Sequence, residues 1–407
     1  MLAGVEILKA KRPKFSELEN LMLKTIGKII LETEKEAVAN FARKNINFLG
    51  VDLMKKKTYL VTGGTGFIGT NFIIYMLTNY KDINIINLDA LTYAANLENL
   101  KEVEKDSRYK FVKANLCNIK EIEDVFKENE IDYVVNFAAE SHVDRSIKNP
   151  TEFVKTNVEG TVNLLAVSKK AWENSKGEFK QGVRFLQVST DEVYGSLGEE
   201  GYFSETTPLD PHSPYSASKA SADLFVKAYY DTFKMPVNIT RCSNNYGPNQ
   251  FLEKLIPLII FNAINLKSLP IYGDGKQVRD WLYVTDHCRA IDLVIREAKV
   301  GEVYNVGGNN EKFNIDIVKT IIKILKETVN EKISEDLIKY VEDRKGHDRR
   351  YAIDASKIKK DLGWEPQINF EEGIKKTVKW YVENKEWVLN VSSKGYLKYY
   401  EEMYSKL

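Results

Sequence analysis

The turn Gly63-Gly64-Thr65-Gly66-Phe67-Ile68-Gly69 constrains this chain more than any other feature of it. A β-rich run, Thr58–Thr62, stands ahead of it, and an apolar helical segment begins near Thr70 behind it. Glycines at 63, 66 and 69 permit a tight turn, close approach of backbone to a pyrophosphate, and close helix–strand packing, while the helix start offers unpaired N–H groups to the anion. A glycine-rich turn alone is only moderately specific. Here the next apolar run, Ile83–Asp89, ends in an acid about 20 residues further on, placed to accept from a ribose hydroxyl. Asp89 favours NAD over NADP, because a 2′-phosphate would meet a like charge.

Further β-rich runs at Lys110–Ala114, Tyr133–Ala138, Arg184–Thr190 and Val237–Arg241 alternate with helical segments, and several are apolar throughout. Strands buried on both faces of a parallel sheet read this way, so residues 54–247 are expected to form an α/β, Rossmann-type doubly wound domain. Beyond residue 247 the order is less regular, with Pro248, Pro257 and Pro270 and then helices near 285–299, 315–329 and 371–383. Residues 248–390 are read as a smaller, mainly C-terminal substrate-binding lobe with segments returning to the first domain, and 391–407 as a tail. The 407 residues suffice for both. Residues 1–53 are read as a separate helical extension with no visible chemistry: a capping-box pattern at Ser16 and Glu19 precedes Leu21, Met22, Ile26, Ile29, Ile30, Val38 and Phe41, which suits one or two amphipathic helices.

Lysine plus arginine (59) nearly balances aspartate plus glutamate (58), which removes any bulk electrostatic case for nucleic acid or a membrane surface. Cys117, Cys242 and Cys288 are scattered and match no metal-ligand spacing, which fits a reducing compartment and no metal. No apolar run reaches the ~18–20 residues of a membrane span, so the expected location is the cytoplasm.

Two further clusters carry chemistry. Tyr215 and Lys219 lie four apart in a segment that opens on Pro214 and continues helically to about Phe233, so phenol and ammonium share a face. Free tyrosine titrates near pH ~10, and a neighbouring cation stabilises the phenolate, which suits a base for alcohol oxidation. Asp191 and Glu192 follow Thr190 at the expected carboxyl end of a strand, where ligands of such sheets bind. Both acids can reach one ligand only if the strand stops near Thr190.

The glycine spacing, with Asp89-Ala90-Leu91-Thr92-Tyr93, Ala138 through Asp144, Ser189 through Gly195 and Arg279 through Val284, resembles the extended short-chain dehydrogenases/reductases of nucleotide sugars. From Met54 to about Trp387 it is most similar to the dTDP-glucose 4,6-dehydratase family. That resemblance implies NAD contacts at Gly63, Gly66, Phe67, Ile68, Gly69, Asp89, Leu91, Thr92, Asn115, Leu116, Ala138, Ala139, Ser141, Thr156, Tyr215 and Lys219. It implies a nucleotide-sugar site around Ser141, Thr190, Asn244, Lys254, Leu255, Pro270, Tyr272, Arg279, Asn314, Arg344 and His347. Three positions depart from the family pattern: Asn115 in place of aspartate, Asn249 in place of tyrosine or histidine, and Lys345 in place of proline.

The implied chemistry is oxidation at C4 with Tyr215 as base, removal of the C5 proton by Glu192, protonation of the departing C6 hydroxyl by Asp191, and return of hydride to C6. Thr190 would bond the sugar 4-oxygen. The helices near 151–172 and 215–233 resemble the pair that forms a four-helix homodimer interface in this family. A UDP-sugar 4-epimerase, a 4,6-dehydratase for another nucleotide and a non-catalytic NAD-binding scaffold are the alternatives. Epimerase relatives typically lack the acid pair, and silent homologues commonly lose the tyrosine, lysine or acids.

Overall fold

The computed structural model describes residues 56–393, so the helical extension expected over 1–53 lies outside the described residues. Strand β1 (Lys57–Thr62) buries Tyr59 and Val61 on one face and Leu60 on the other, the alternation of a strand covered on both sides. It pairs in parallel with β2 (Ile83–Asp89) and, on its other edge, with a strand further along the chain. Adding β3 (Tyr109–Lys113), β4 (Tyr133–Asn136), β5 (Arg184–Thr190) and β6 (Val237–Cys242) gives the order 3-2-1-4-5-6. A seventh strand, Val303–Val306, comes from the C-terminal half and pairs in parallel with β6. The expected doubly wound sheet is therefore present. Its order reverses between β1 and β4, where the carboxyl ends diverge and leave a crevice.

Helices Phe67–Asn79 and Val284–Glu297 press Phe72, Ile73, Met76, Ile291 and Val294 onto the Tyr59 and Val61 face. Helices Ile119–Glu128, Gly160–Trp172 and Pro214–Phe233 bring Ile122, Leu164, Leu165 and Val226 to the Leu60 face. A second core gathers Ile256, Ile259, Ile317, Ile321, Phe370 and Ile374 around Tyr246 and Trp281. It carries two small sheets: Val278–Tyr283 with Asn244–Tyr246 and Glu311–Phe313, and Leu269–Tyr272 with Ile338–Val341. No helix among the described residues is long and apolar enough to cross a membrane.

Boundaries depart from the sequence expectation where the site begins. The helix after the glycine turn starts at Phe67 rather than Thr70, because Gly66 is extended (φ −78°, ψ 176°) and forms its N-cap. Strand β4 stops at Asn136, two residues early, and the Ala138 N–H turns to the Thr62 hydroxyl at 3.3 Å. Helix Lys385–Ser393 runs across the boundary expected at 391.

Gly69 shows how tightly the helix sits on the turn: a Cβ there would lie 2.5 Å from the Gly63 carbonyl oxygen and 2.8 Å from the Gly64 Cα. Both are backbone atoms, so relief requires moving the helix. Gly69→Ala is expected to lower stability by about 1–3 kcal/mol, the usual cost of overpacking, as measured by denaturant unfolding. Gly198→Ala, where nothing lies within 4 Å of the added Cβ, serves as the control and should stay near the parental midpoint.

Candidate active site

The crevice between β1 and β4 offers roughly 330 Å³ of water-accessible space. Gly63 takes φ 68°, and a Cβ on it would come 2.8 Å from the Ala138 backbone, so the turn tolerates only glycine. Gly66 has no side chain to cap the following helix, which leaves its first-turn N–H groups open to an anion. Asp89 is buried and pre-oriented: Oδ2 accepts from the Thr65 N–H (3.0 Å) and hydroxyl (2.5 Å), and Oδ1 from the Leu91 N–H (2.8 Å). An uncapped helix start, a glycine-only turn and an acid at the next strand end fit the pyrophosphate and ribose of a dinucleotide.

Of the residues expected at the cofactor, Gly63, Gly66, Phe67, Ile68, Gly69, Asp89, Thr92, Asn115, Leu116, Ala138, Ala139, Ser141, Thr156, Tyr215 and Lys219 line the crevice. Leu91 does not line it. Its positive φ (55°) folds the chain back so that its amide bonds Asp89, and the residue contributes through that backbone bond. The Asn115 side chain caps a local turn, its Oδ1 accepting from the Cys117 N–H at 2.9 Å.

Strand β5 ends at Thr190, and one 3₁₀ turn, Asp191–Tyr194, follows at once. The turn removes the strict alternation of a strand and brings both acids to the crevice, where they line its wall beside Tyr215 and Lys219. The Thr190 Oγ1 holds the turn, accepting from the Glu192 N–H (3.3 Å) and donating to Asp191 Oδ1 (3.2 Å). Asp191 is 1% exposed, and its Oδ2 has no hydrogen-bond partner among the described residues. Burial, and then the Glu192 and Asp280 carboxylates, push its proton affinity well above that of an ordinary aspartate. Burial also raises Glu192, but Arg279, Lys254 and Arg344 act in the opposite direction. The two neighbouring acids thus sit in unequal surroundings, one favouring the neutral form and one partly supported as the anion.

Helix Pro214–Phe233 opens with a capping box between Ser213 and Ser216, which fixes where its first turn presents Tyr215. The Lys219 ammonium donates to the Val188 carbonyl on β5 at 2.7 Å, anchoring the helix against that strand. Burial raises Tyr215 well above the normal phenol range, with Glu192 the next cause, and lowers Lys219.

Beyond Glu192 the crevice opens into a second pocket under the lobe, lined by Ser141, Asn244, Lys254, Leu255, Pro270, Tyr272, Arg279, Asn314, Arg344 and His347. Of the residues expected at the substrate, only Thr190 stays on the cofactor side. Ser141, Glu192, Asn244, Glu253 and Lys254 line both spaces and mark where they meet. Lys254 donates to the Ser141 carbonyl at 2.8 Å. Arg279 is buried, stacks 4.2 Å from the Tyr351 ring centroid and donates to the Val278 and Asp348 carbonyls. The Arg344 Nε has no acceptor among the described residues, which leaves that cation available to an anionic ligand.

Glu253, Gln250 and Tyr351 also line the site and carry no local sequence signal. Glu253 accepts from the Tyr93 hydroxyl (2.9 Å) and Arg145 Nε (3.3 Å), partners 160 and 108 residues away. Such a cluster exists only once the chain has folded.

Comparison with known proteins matches this geometry. The family model described as GDP-mannose 4,6 dehydratase fits residues 60–377. The dTDP-glucose 4,6-dehydratase of Neisseria meningitidis serogroup B is 51% identical over 83% of this chain and 96% of that protein. The crystal structure of dTDP-glucose 4,6-dehydratase from Bacillus anthracis in complex with NAD aligns with a TM-score of 0.74 at 52% identity, covering 82% of this chain and 99% of the other. That from Streptomyces venezuelae with NAD and TYD bound aligns at 0.75 and 43%, covering 81% and 98%. With about half its residues shared across the whole catalytic region and an acid pair on the turn after β5, this chain belongs to the dTDP-glucose 4,6-dehydratase family.

Proposed function

We propose that this protein converts dTDP-glucose to its 4-keto-6-deoxy derivative, holding NAD in the crevice and the nucleotide sugar in the pocket under the lobe. The observation that carries the reading is the turn Asp191–Tyr194, which sets two acids of unequal character at the junction of the two spaces. NAD, held by the glycine turn and Asp89, would supply a hydride acceptor for C4 and a hydride source for C6, so that the net reaction is a dehydration. Tyr215 takes the proton of the 4-hydroxyl, and Thr190 bonds the same oxygen. The ketone acidifies C5; Glu192, faced by three cations, removes that proton. Asp191, kept neutral by burial, gives its proton to the departing C6 hydroxyl. Lys219 braces the tyrosine helix on β5.

Residues 54–247 supply the cofactor side, and 248–390 most of the nucleotide side. Asn244, Leu255, Pro270, Tyr272 and Asn314 enclose the nucleoside, and Arg279, Arg344, Lys254 and His347 grip the diphosphate. The cytoplasm is the proposed location, in keeping with three free cysteines. A homodimer is proposed on a separate observation: Val154, Leu224, Phe225 and Phe233 are 54%, 57%, 42% and 41% exposed on the segments expected to pair between subunits. Four large apolar side chains on two neighbouring helical segments suit an isologous interface.

The purified protein is expected to convert dTDP-glucose in preference to UDP-glucose, without added oxidant and without net NADH. Mass spectrometry of the product checks the water loss, and steady accumulation of NADH with turnover would contradict it.

Tyr215→Phe should block the cycle before oxidation and lower kcat by roughly 10²–10⁴-fold, the usual contribution of a positioned acid–base group. Asp191→Asn should still oxidise C4 and therefore build up the reduced-cofactor absorbance while eliminating slowly. Glu192→Gln should suppress exchange of the C5 hydrogen with solvent deuterium. Dehydration at the parental rate by both acid variants would remove Asp191 and Glu192 from the chemistry.

Light scattering at micromolar concentration should give twice the chain mass, and Leu224→Glu should shift it toward the monomer. An unchanged mass in that variant would place the interface elsewhere.

A further inference from the structure

His212 takes no part in the chemistry above, yet its hydrogen bonds lead from the surface to the pocket that Glu192 lines. Its side chain is 41% exposed, and Nδ1 lies 2.6 Å from Asp348 Oδ1. The other ring nitrogen, Nε2, lies 3.5 Å from Asp210 Oδ2, on a side chain 82% exposed. The Asp348 side chain is only 6% exposed, and its Oδ2 accepts from the Tyr351 hydroxyl at 2.5 Å. Tyr351 is 4% exposed and lines the lobe pocket together with Glu192 and Arg279. Glu192 is the charge that acts most strongly on its phenol, ahead of Arg279 and of Asp348 itself. The charged groups facing Glu192 are Arg279, Lys254, Arg344 and Asp348.

A row of hydrogen-bonding groups thus runs from the Tyr351 phenol, in the pocket that Glu192 also lines, to an exposed imidazole. A sugar filling the pocket would cover Glu192, and a proton taken from C5 would then have no direct contact with water. The row offers another way out.

We propose that Tyr351, Asp348 and His212 form a proton path joining Glu192 to bulk water, so that hydrogen removed from C5 is exchanged with solvent while the substrate is bound. The inference rests on the dehydratase reading. Protonated Glu192 passes its proton to the Tyr351 oxygen as Tyr351 passes its own to Asp348 Oδ2, and the His212 imidazolium releases one from Nε2 to water. One proton leaves and Glu192 is again a carboxylate. The neutral Asp348–His212 pair returns to the ion pair by passing the carboxyl proton to the ring through water. The hydrogen bond to Asp348 holds the His212 proton more tightly than in free imidazole.

A purely structural His212 would only tie the 343–348 segment to the start of the tyrosine helix, and the two roles differ in an isotope readout. The full-length protein with NAD is given dTDP-glucose deuterated at C5 in ordinary water, and mass spectrometry measures the label kept in the 4-keto-6-deoxy product. His212→Asn keeps a hydrogen-bonding side chain but cannot shuttle a proton; several-fold more of its product should retain the label. Tyr351→Phe interrupts the same path at its inner end and should raise retention likewise. Label retention in His212→Asn equal to the parental value, whatever its kcat, overturns the path. Absence of a 4-keto-6-deoxy product from the parent would instead refute the dehydratase reading.

Discussion

Charge held out of water governs this structure. Lys219, Asp223, Arg241, Arg279 and Asp280 are each less than a tenth exposed around the carboxyl ends of β5 and β6. Desolvating such groups costs several kcal/mol per ion unless partners compensate. The partners come from distant parts of the chain. Arg241 on β6 pairs with Asp223 on the tyrosine helix at 2.9 Å and donates to the Tyr194 hydroxyl at 2.9 Å, and that hydroxyl reaches Asn305 on the seventh strand at 2.8 Å. Asp280 is held by the N–H groups of Gly308 (2.7 Å) and Asn310 (2.6 Å). Removing one member of the Asp223–Arg241 pair would strand the other, a change that typically costs about 3–5 kcal/mol. The acid turn is therefore braced by the tyrosine helix and by a strand contributed from the C-terminal half.

The same burial that demands partners also creates the chemistry. Two adjacent carboxyls in water would ionise alike. Here Asp191 lies deepest and meets two further carboxylates, whereas Glu192 faces the cationic wall of Arg279, Lys254 and Arg344. Environment alone makes two adjacent carboxyls unequal, as an acid and a base on one turn would need to be. Glu192 also lines the pocket under the lobe, so the cations proposed to grip a diphosphate are the ones that oppose the effect of burial on its proton affinity.

Cofactor and substrate spaces communicate through Glu253 and Lys254. Glu253 binds Tyr93 from the loop after β2 and Arg145 from the helix Val143–Lys148, with the Arg145 guanidinium 3.7 Å from the Tyr93 ring centroid. Its neighbour Lys254 bonds Ser141 and lines both spaces. The loop beside Asp89 is in this way tied to the lobe that closes the nucleotide pocket.

The sequence alone determined the sheet and its cofactor turn and singled out the candidate chemical residues, because these are local patterns: strand runs buried on both faces, glycines at 63, 66 and 69, an acid at the end of β2, Tyr215 and Lys219 one helical turn apart, and two acids at a strand end. It also pointed to most of the residues that line the pocket under the lobe, though only through family resemblance, since Arg279 and Arg344 taken singly look like surface cations. Tertiary structure alone decided that Leu91 bonds Asp89 through its backbone instead of lining the crevice, that β4 stops at Asn136, and that Val303–Val306 completes the sheet. It alone assembled Glu253 with Tyr93 and Arg145, and His212 with Asp348 and Tyr351. The inequality of Asp191 and Glu192 belongs to the same class. Proton affinity depends on which distant charges and how much water surround a group, and spacing along a chain carries neither.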